Sequence, residues 1–321
     1  MRNRFVHASV LLAAISAPAA YAQSTSSLTI YGRVNTTVES QKTGDQSRVN
    51  VLQNNASRWG LRGTEDLGGG LSAFFRLEQG FDSSTGVTAN GFDRDAYMGL
   101  KGKFGQFRMG HITNITYLTS ADWVSLHNHD TGTSSDTLYG FGVAFGARSN
   151  TVAYSTPVYN GFRGEFSYSF KEARPADARN ATLEYNMGGW ELSAGYSSSG
   201  NNKLGVLRAL YSVGPFKVGG YYERDDFNGA KRNNARLMGM YAFGASELHL
   251  NVGRAGKRGD VADSGATQAT IGYNYNLSKR TKLYAFYTMV DNDKAATYSA
   301  FGSVQPGQDQ NSLAIGVRHA F

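Results

Sequence analysis

The chain has no cysteine, so no disulfide can brace it. Proline is nearly as scarce, with 5 in 321 residues. Hydrophobic residues make up 40%, below the average for a soluble globular domain, and Leu, Ile and Val are too few for an ordinary soluble core. No segment holds 18 consecutive apolar residues, which excludes a transmembrane helix. No long segment shows a 3.6-residue period, which excludes a helical architecture. The formal charge is +7, but the basic residues are spread along the chain, whereas a nucleic-acid binder concentrates them in patches. What the chain does have is 39 Gly, 19 Tyr and 18 Phe, the residues of tight turns and strands.

Residues 1–22 read as a secretory signal peptide. Arg2 and Arg4 give a basic start, Val10 to Ala17 a short apolar stretch, and Ala20 to Ala22 a small-residue cleavage site. The apolar stretch is too short to span roughly 30 Å of hydrocarbon. The mature domain is then 23–321, and losing Arg2 and Arg4 leaves 30 basic against 25 acidic residues, a formal excess of +5.

Alternation dominates the mature chain. In "SLTIYGRVNTTV", Leu28, Ile30, Val34 and Val38 share one face, while Thr29, Tyr31, Arg33, Asn35 and Thr37 share the other. Sixteen such segments can be counted: about 27–40, 48–64, 70–82, 92–104, 106–113, 148–158, 161–171, 178–188, 190–200, 203–213, 216–226, 232–244, 246–255, 266–277, 281–291 and 310–321. Seven connections are tight, such as "DLGGG" and "VGPF". They alternate with longer polar ones, among them "SSGNNK", "DDFNGAKRN" and a stretch of about 114–147. Turns at one end and loops at the other describe an up-and-down antiparallel sheet. An open sheet of that size would expose two edges, and closure into a barrel removes both. A closed barrel also satisfies every backbone polar group in lipid. A propeller would need repeated four-stranded blade motifs, and none is present. The expected fold is therefore all-β, a 16-stranded antiparallel transmembrane barrel. A barrel that wide leaves an aqueous channel. Inward faces carrying Arg33, Arg58, Arg62, Arg76, Glu78 and Lys282 demand water inside, because so many charges could not be kept dry.

Several stretches resemble one family: "SLTIYGRV", "SRWGLRGTEDLGGGLSAFFRLE" (57–78), "DRDAYMGLKGKFGQFRMG" (93–110), "NTVAYSTPVYNGF" (150–162), "YNYNLSKRTKLYAFY" (273–287) and "GVRHAF" (316–321). They are similar to the general diffusion porins of Gram-negative bacteria, of the beta-proteobacterial type, over essentially the whole mature chain. The resemblance implies an outer-membrane homotrimer passing ions and small hydrophilic solutes. It implies a third external loop, here about 114–147, folded into the lumen. It also implies a basic wall at the constriction, carried by Arg58, Arg94 and Arg148, with Arg62 a weaker addition. Acidic residues on the loop commonly oppose such a wall, and Asp122, Asp130 and Asp136 are the candidates. Rings of arginine favour anions, so a mild to moderate anion preference is expected. The expected partners are outer-membrane lipid and lipopolysaccharide, small anions, and the assembly machinery that reads a terminal aromatic, here Phe321. Relatives often carry an acidic residue where this chain has Asn35, which leaves the local geometry open.

Other motifs point to less. His127 and His129 lack a third metal ligand in view. "RGD" (258–260) falls in an expected external loop, where chance recurrence is the simpler account. Trp59 and Trp190 sit where interface anchors belong. An outer-membrane enzyme would need a nucleophile–base constellation, and His111, His127, His129, His249 and His319 show no such motif. An adhesin barrel would have fewer strands and a separate periplasmic domain. The expectation is a channel, with no catalytic residue, cofactor or metal.

Overall fold

The computed structural model describes residues 26–123, 132–140, 149–172 and 175–321. The expected signal segment 1–22, Asp130, Arg148, His127 and His129 lie outside the described residues.

The strands are β1 (Ser27–Thr43), β2 (Val49–Asn54), β3 (Arg58–Gly68), β4 (Leu71–Gly80), β5 (Ala96–Gly102) and β6 (Gly105–His111). A five-residue helix, α1 (Ile115–Thr119), opens the long loop that follows. Then come β7 (Thr151–Ser155), β8 (Phe162–Ser169), β9 (Ala178–Met187), β10 (Trp190–Ser199), β11 (Asn202–Val213) and β12 (Phe216–Phe227). The sheet ends with β13 (Ala230–Phe243), β14 (Ser246–Ala255), β15 (Ala266–Asn276), β16 (Thr281–Asn292) and β17 (Gln310–Ala320).

Apart from β2 and β3, consecutive strands pair antiparallel, and β1 pairs with β17 from Arg33↔Ala320 to Thr43↔Gln310, which closes the barrel. The 17 segments make 16 staves, because β2 and β3 run end to end along β1. The expected strand 48–64 is thus one stave broken at residues 55–57. Ala56 there takes a positive φ of 55°. Asn35 on β1 spans the break: its Nδ2 donates to Asn55 O (3.0 Å), and its own N–H donates to Ser57 Oγ (3.0 Å). The Asn35 side-chain oxygen in turn accepts from Tyr284 Oη (2.7 Å).

The burial pattern is that of a wall between two solvents. Leu28, Ile30, Val34, Leu183, Leu207, Leu237, Ile271 and Ile315 are exposed on the outside, where lipid belongs. Asn35, Glu39, Glu78, Arg236, Asn251 and Gln268 are buried on the inside. Aromatic pairs ring the barrel at its short-turn end. Phe162 meets Tyr185 at 4.7 Å between centroids, Trp190 meets Tyr211 at 4.5 Å and Phe216 meets Tyr241 at 4.9 Å.

Many strand glycines make room for a neighbour's ring. A Cβ on Gly32 would lie 2.5 Å from the Phe321 ring, and one on Gly316 would lie 2.6 Å from Tyr284. Phe321 also exchanges two backbone hydrogen bonds with Gly32 (3.0 and 3.1 Å), extending the seam beyond β17.

Two expected long loops are tight hairpins. β10 and β11 are joined by Gly200 and Asn201 alone, and β12 and β13 by Asn228 and Gly229. Asn228 and Gly229 have φ of 52° and 87°, both positive as a two-residue type I′ turn requires. The polar residues around them are lumen-facing strand, not loop: Asp225 and Arg232 are both buried.

Candidate functional site

The described parts of the third external loop, between β6 and β7, lie inside the barrel. Its first part packs on β9 and β10: Asn114 Nδ2 donates to Asn180 Oδ1 (2.8 Å), and Ser193 Oγ donates to Thr119 O (2.7 Å). Asn114 caps α1 by accepting from the Thr116 N–H (2.8 Å). Gly195 leaves space for the helix; a Cβ there would come within 2.8 Å of Thr116.

The returning part, residues 132–140, is tied to β12, β13 and β15. Asp136 and Arg236 form an ion pair at 2.7 Å, and both side chains are wholly buried. Arg236 also donates to Gln268 Oε1 (2.6 Å) and Asn251 Oδ1 (2.6 Å). Asp136 accepts from Tyr221 Oη (2.6 Å) and from the Leu138 N–H (2.9 Å). Gln268 binds the loop backbone at Thr137 N (3.0 Å) and Ser135 O (2.8 Å). The Gly140 N–H donates to the Glu223 carboxylate (3.0 Å), and the Tyr139 ring packs edge-on against Tyr221 at 5.8 Å.

This corrects one expectation. Asp136 does not oppose the basic wall with a free charge; it is buried and neutralised by Arg236 on β13. Both side chains are wholly buried, which makes that pairing necessary, since an unpaired charge there would be costly. Asp122, in a short 3-10 turn after α1, is half-buried and accepts a hydrogen bond from Tyr117 Oη (3.2 Å).

The basic residues gather on another part of the wall. Arg33 on β1, Arg58 and Arg62 on β3, and Arg76 on β4 are in cross-strand register and share the inner face. Arg94 enters from the segment before β5, where its N–H donates to Glu78 O (3.2 Å). Arg94 Nε and Glu78 Oε1 are 2.5 Å apart, Arg76 meets Glu78 Oε2 at 2.5 Å, and Arg58 approaches Oε1 at 3.5 Å. Arg76 also reaches Asp95 at 3.3 Å. Arg33 donates to the carbonyls that the β2–β3 break frees, Ala56 O (3.2 Å) and Asn55 O (3.3 Å).

The structure thus brings Arg58 and Arg94 together around a carboxylate on the same wall, with Arg62 further along β3 opposite Arg76. Glu78 was legible as an inward residue, but its place as the hub was not. The signal available was Arg76 and Glu78 at i, i+2 on one strand face, level with Arg94 and Asp95. The patch holds five arginines against two carboxylates, Glu78 and Asp95, so an aqueous passage beside it meets net positive charge.

A second buried knot ties external loops to the wall. Asp225 on β12 binds Arg232 (2.6 Å) and Arg258 (2.7 Å), and Arg232 donates to Tyr298 Oη (2.9 Å). The arginine of the "RGD" triplet is therefore occupied in holding the β14–β15 loop. In the β4–β5 loop, the Ser84 hydroxyl and N–H hold the Asp82 carboxyl below its usual range.

A closed barrel with an apolar outside, a polar inside and an inward-folded loop defines a membrane channel of the bacterial outer-membrane type. The family model for Gram-negative porins matches residues 8–295, and the chain belongs to that family. It is similar to outer membrane porin protein 32 of Delftia acidovorans, at 30% identity over 98% of this chain and 99% of that one. It is also similar to the major outer membrane protein P.IB of Neisseria meningitidis serogroup A, at 25% identity over 92% and 94%. Among solved structures, an anion-selective porin from Comamonas acidovorans superposes with a TM-score of 0.77 at 28% identity, covering 92% of this chain and all of that one. The protein is an outer-membrane porin with a water-filled channel.

Proposed function

We propose that this porin passes small hydrophilic anions in preference to cations, by passive diffusion along the arginine wall. The carrying observation is the charge balance around Glu78, where Arg33, Arg58, Arg62, Arg76 and Arg94 outnumber the acids. Asp136, sequestered by Arg236, adds no countercharge facing that wall. The anion selectivity described for the Comamonas structure supports the same reading.

The proposed site residues are Arg58, Arg62 and Arg94, joined by Arg148 at the end of the inward loop, with Asp122 and Asp130 as the acidic candidates on that loop. The proposed assembly is a homotrimer, as a Vibrio cholerae relative of the same fold is described in trimer form. Residues 1–22 serve as a cleaved export signal, and Phe321 serves the assembly machinery. The exposed apolar belt contacts outer-membrane lipid and lipopolysaccharide. The reading is of a channel without catalytic function.

The test is single-channel recording in planar bilayers under a salt gradient. The expected reversal potential shows anion preference, and replacing Arg58, Arg94 and Arg148 with Gln moves it toward cations. A cation-preferring wild type overturns the reading, and an unmoved reversal potential places the three arginines outside the constriction.

A further inference from the structure

The arginines of the wall are not equally available. Arg58, Arg76 and Arg94 are committed to Glu78, and Arg33 to backbone carbonyls. Arg62 has no carboxylate partner among the described residues. Neither does Lys101, which lies on β5 near the short-turn end. Both side chains are exposed to the lumen.

These two cations sit on aromatic rings. The Arg62 guanidinium lies 5.2 Å from the centre of the Tyr31 ring, and Lys101 Nζ lies 5.9 Å from that of Phe74. Phe74 and Tyr97 meet edge to face at 6.3 Å. Arg62, Lys101, Phe74, Tyr97, Thr29 and Gln106 line one recess of about 290 Å³ in the lumen wall. It lies toward the short turns, beyond the Glu78 cluster.

Each part has a chemical consequence. Two unpaired cations in a lumen recess attract an anion, and guanidinium binds a carboxylate by paired N–H donors. Rings at the base offer dispersion and edge contacts to a planar apolar body. Thr29 and Gln106 add neutral polar groups at the rim. Chloride would use the charges alone; a planar organic anion would use both.

We propose that this recess is a solute-binding station for aromatic carboxylates, with Arg62 and Lys101 holding the carboxylate and Phe74 and Tyr97 packing on the ring. It rests on the anion reading above and specifies a solute class for it. Transient residence there would raise the local concentration of such solutes next to the constriction and would obstruct chloride current while it lasted.

The experiment uses the full-length protein in planar bilayers in chloride, with benzoate as probe and acetate as a control of equal charge. Millimolar benzoate is expected to interrupt or reduce the wild-type chloride current, while acetate at equal concentration does so far less. Arg62→Gln and Lys101→Gln are each expected to raise the benzoate concentration required about tenfold, the worth of one charge-assisted contact. Chloride current in each variant shows that the channel has inserted and is open. Indistinguishable effects of benzoate and acetate on the wild type overturn the proposal, as does unchanged benzoate block in both variants. An anion-preferring reversal potential alongside either result leaves the anion reading standing and removes only the station. A cation-preferring one removes the anion reading itself.

Discussion

Replacing Arg236 with Met should unfasten the inward loop while leaving the barrel closed. Arg236 lies on β13 and makes three contacts through its guanidinium, to Asp136 (2.7 Å), Gln268 (2.6 Å) and Asn251 (2.6 Å). Methionine keeps much of the volume but leaves Asp136 wholly buried without its countercharge. Removing one partner of a buried pair costs about 3–5 kcal/mol. At about 1.4 kcal/mol per factor of ten, the balance between docked and released loop shifts by roughly 100- to 5000-fold. The barrel itself is held by continuous ladders on both sides of β13, from Phe216↔Tyr241 and Phe243↔Ser246 onward, which the substitution does not touch. Single-channel recording should therefore show an inserted channel with many more brief closures and greater open-channel noise. The double variant Arg236→Met with Asp136→Leu removes both charges together, which is often neutral in a buried pair, and should be quieter than the single one. A single variant whose closure rate stays within about twofold of wild type would refute the tether, given the size of the expected shift.

Three further outcomes follow from particular contacts. Asn35→Asp removes the donor to Asn55 O (3.0 Å) and sets a carboxylate against that carbonyl inside the break in the second stave; barrel stability should fall by about 1–3 kcal/mol, read as a lower midpoint of urea unfolding in detergent, and an unchanged midpoint would count against the bridging role. Gly32→Val places side-chain carbon where the Phe321 ring and Arg58 O already lie 2.5 Å from a Cβ position, and deleting Phe321 removes the seam's last paired bonds; both should reduce folded barrel recovered in outer membranes more than they alter conductance, and normal recovery of both would sink the idea. Asp82, whose carboxyl is held below its usual range by Ser84, stabilises its turn at pH above the ordinary carboxylate value of about 4 and loses that contribution as pH falls through its depressed value; the Ser84 amide resonance should shift in that acidic window, and one that titrates only above it contradicts the bond.

The strands were legible because the wall separates two solvents. Residues facing lipid and residues facing water alternate with period two, so Leu28, Ile30 and Val34 announce β1 without any other signal. The same logic misled at β10–β13. Inside a wet barrel a polar residue is as much at home on a strand as in a loop, so Asp225 and Arg232 read as loop although Asn228-Gly229 marked a two-residue hairpin. The break at residues 55–57 carries no Gly or Pro, and only the donors of Asn35 and Arg33 reveal why it is tolerated. The pairing of Asp136 with Arg236 spans 100 positions and depends on how far the loop reaches across the lumen. Alternation places Arg236 inside; nothing in it names the partner.

The loop's course bears on where solutes pass. Its described contacts fall chiefly on β9, β10, β12, β13, β15 and β16, while the arginine patch occupies β1, β3, β4 and the entry to β5. The loop also meets the patch's margin, where Thr113 Oγ1 donates to Asp95 (2.7 Å) and Gly132 lies against Glu39 and Asn55, but most of its ties are to the other side of the lumen. At physiological salt fixed charges act over about 8 Å, so charges on the far wall contribute little to a solute travelling beside Glu78. The buried pairs on that far wall, Asp136 with Arg236 and Asp225 with Arg232, are also internally neutralised. On the proposed reading, overall net charge thus has little say in selectivity, and the local excess around Glu78, with Arg62 beyond it, sets the preference.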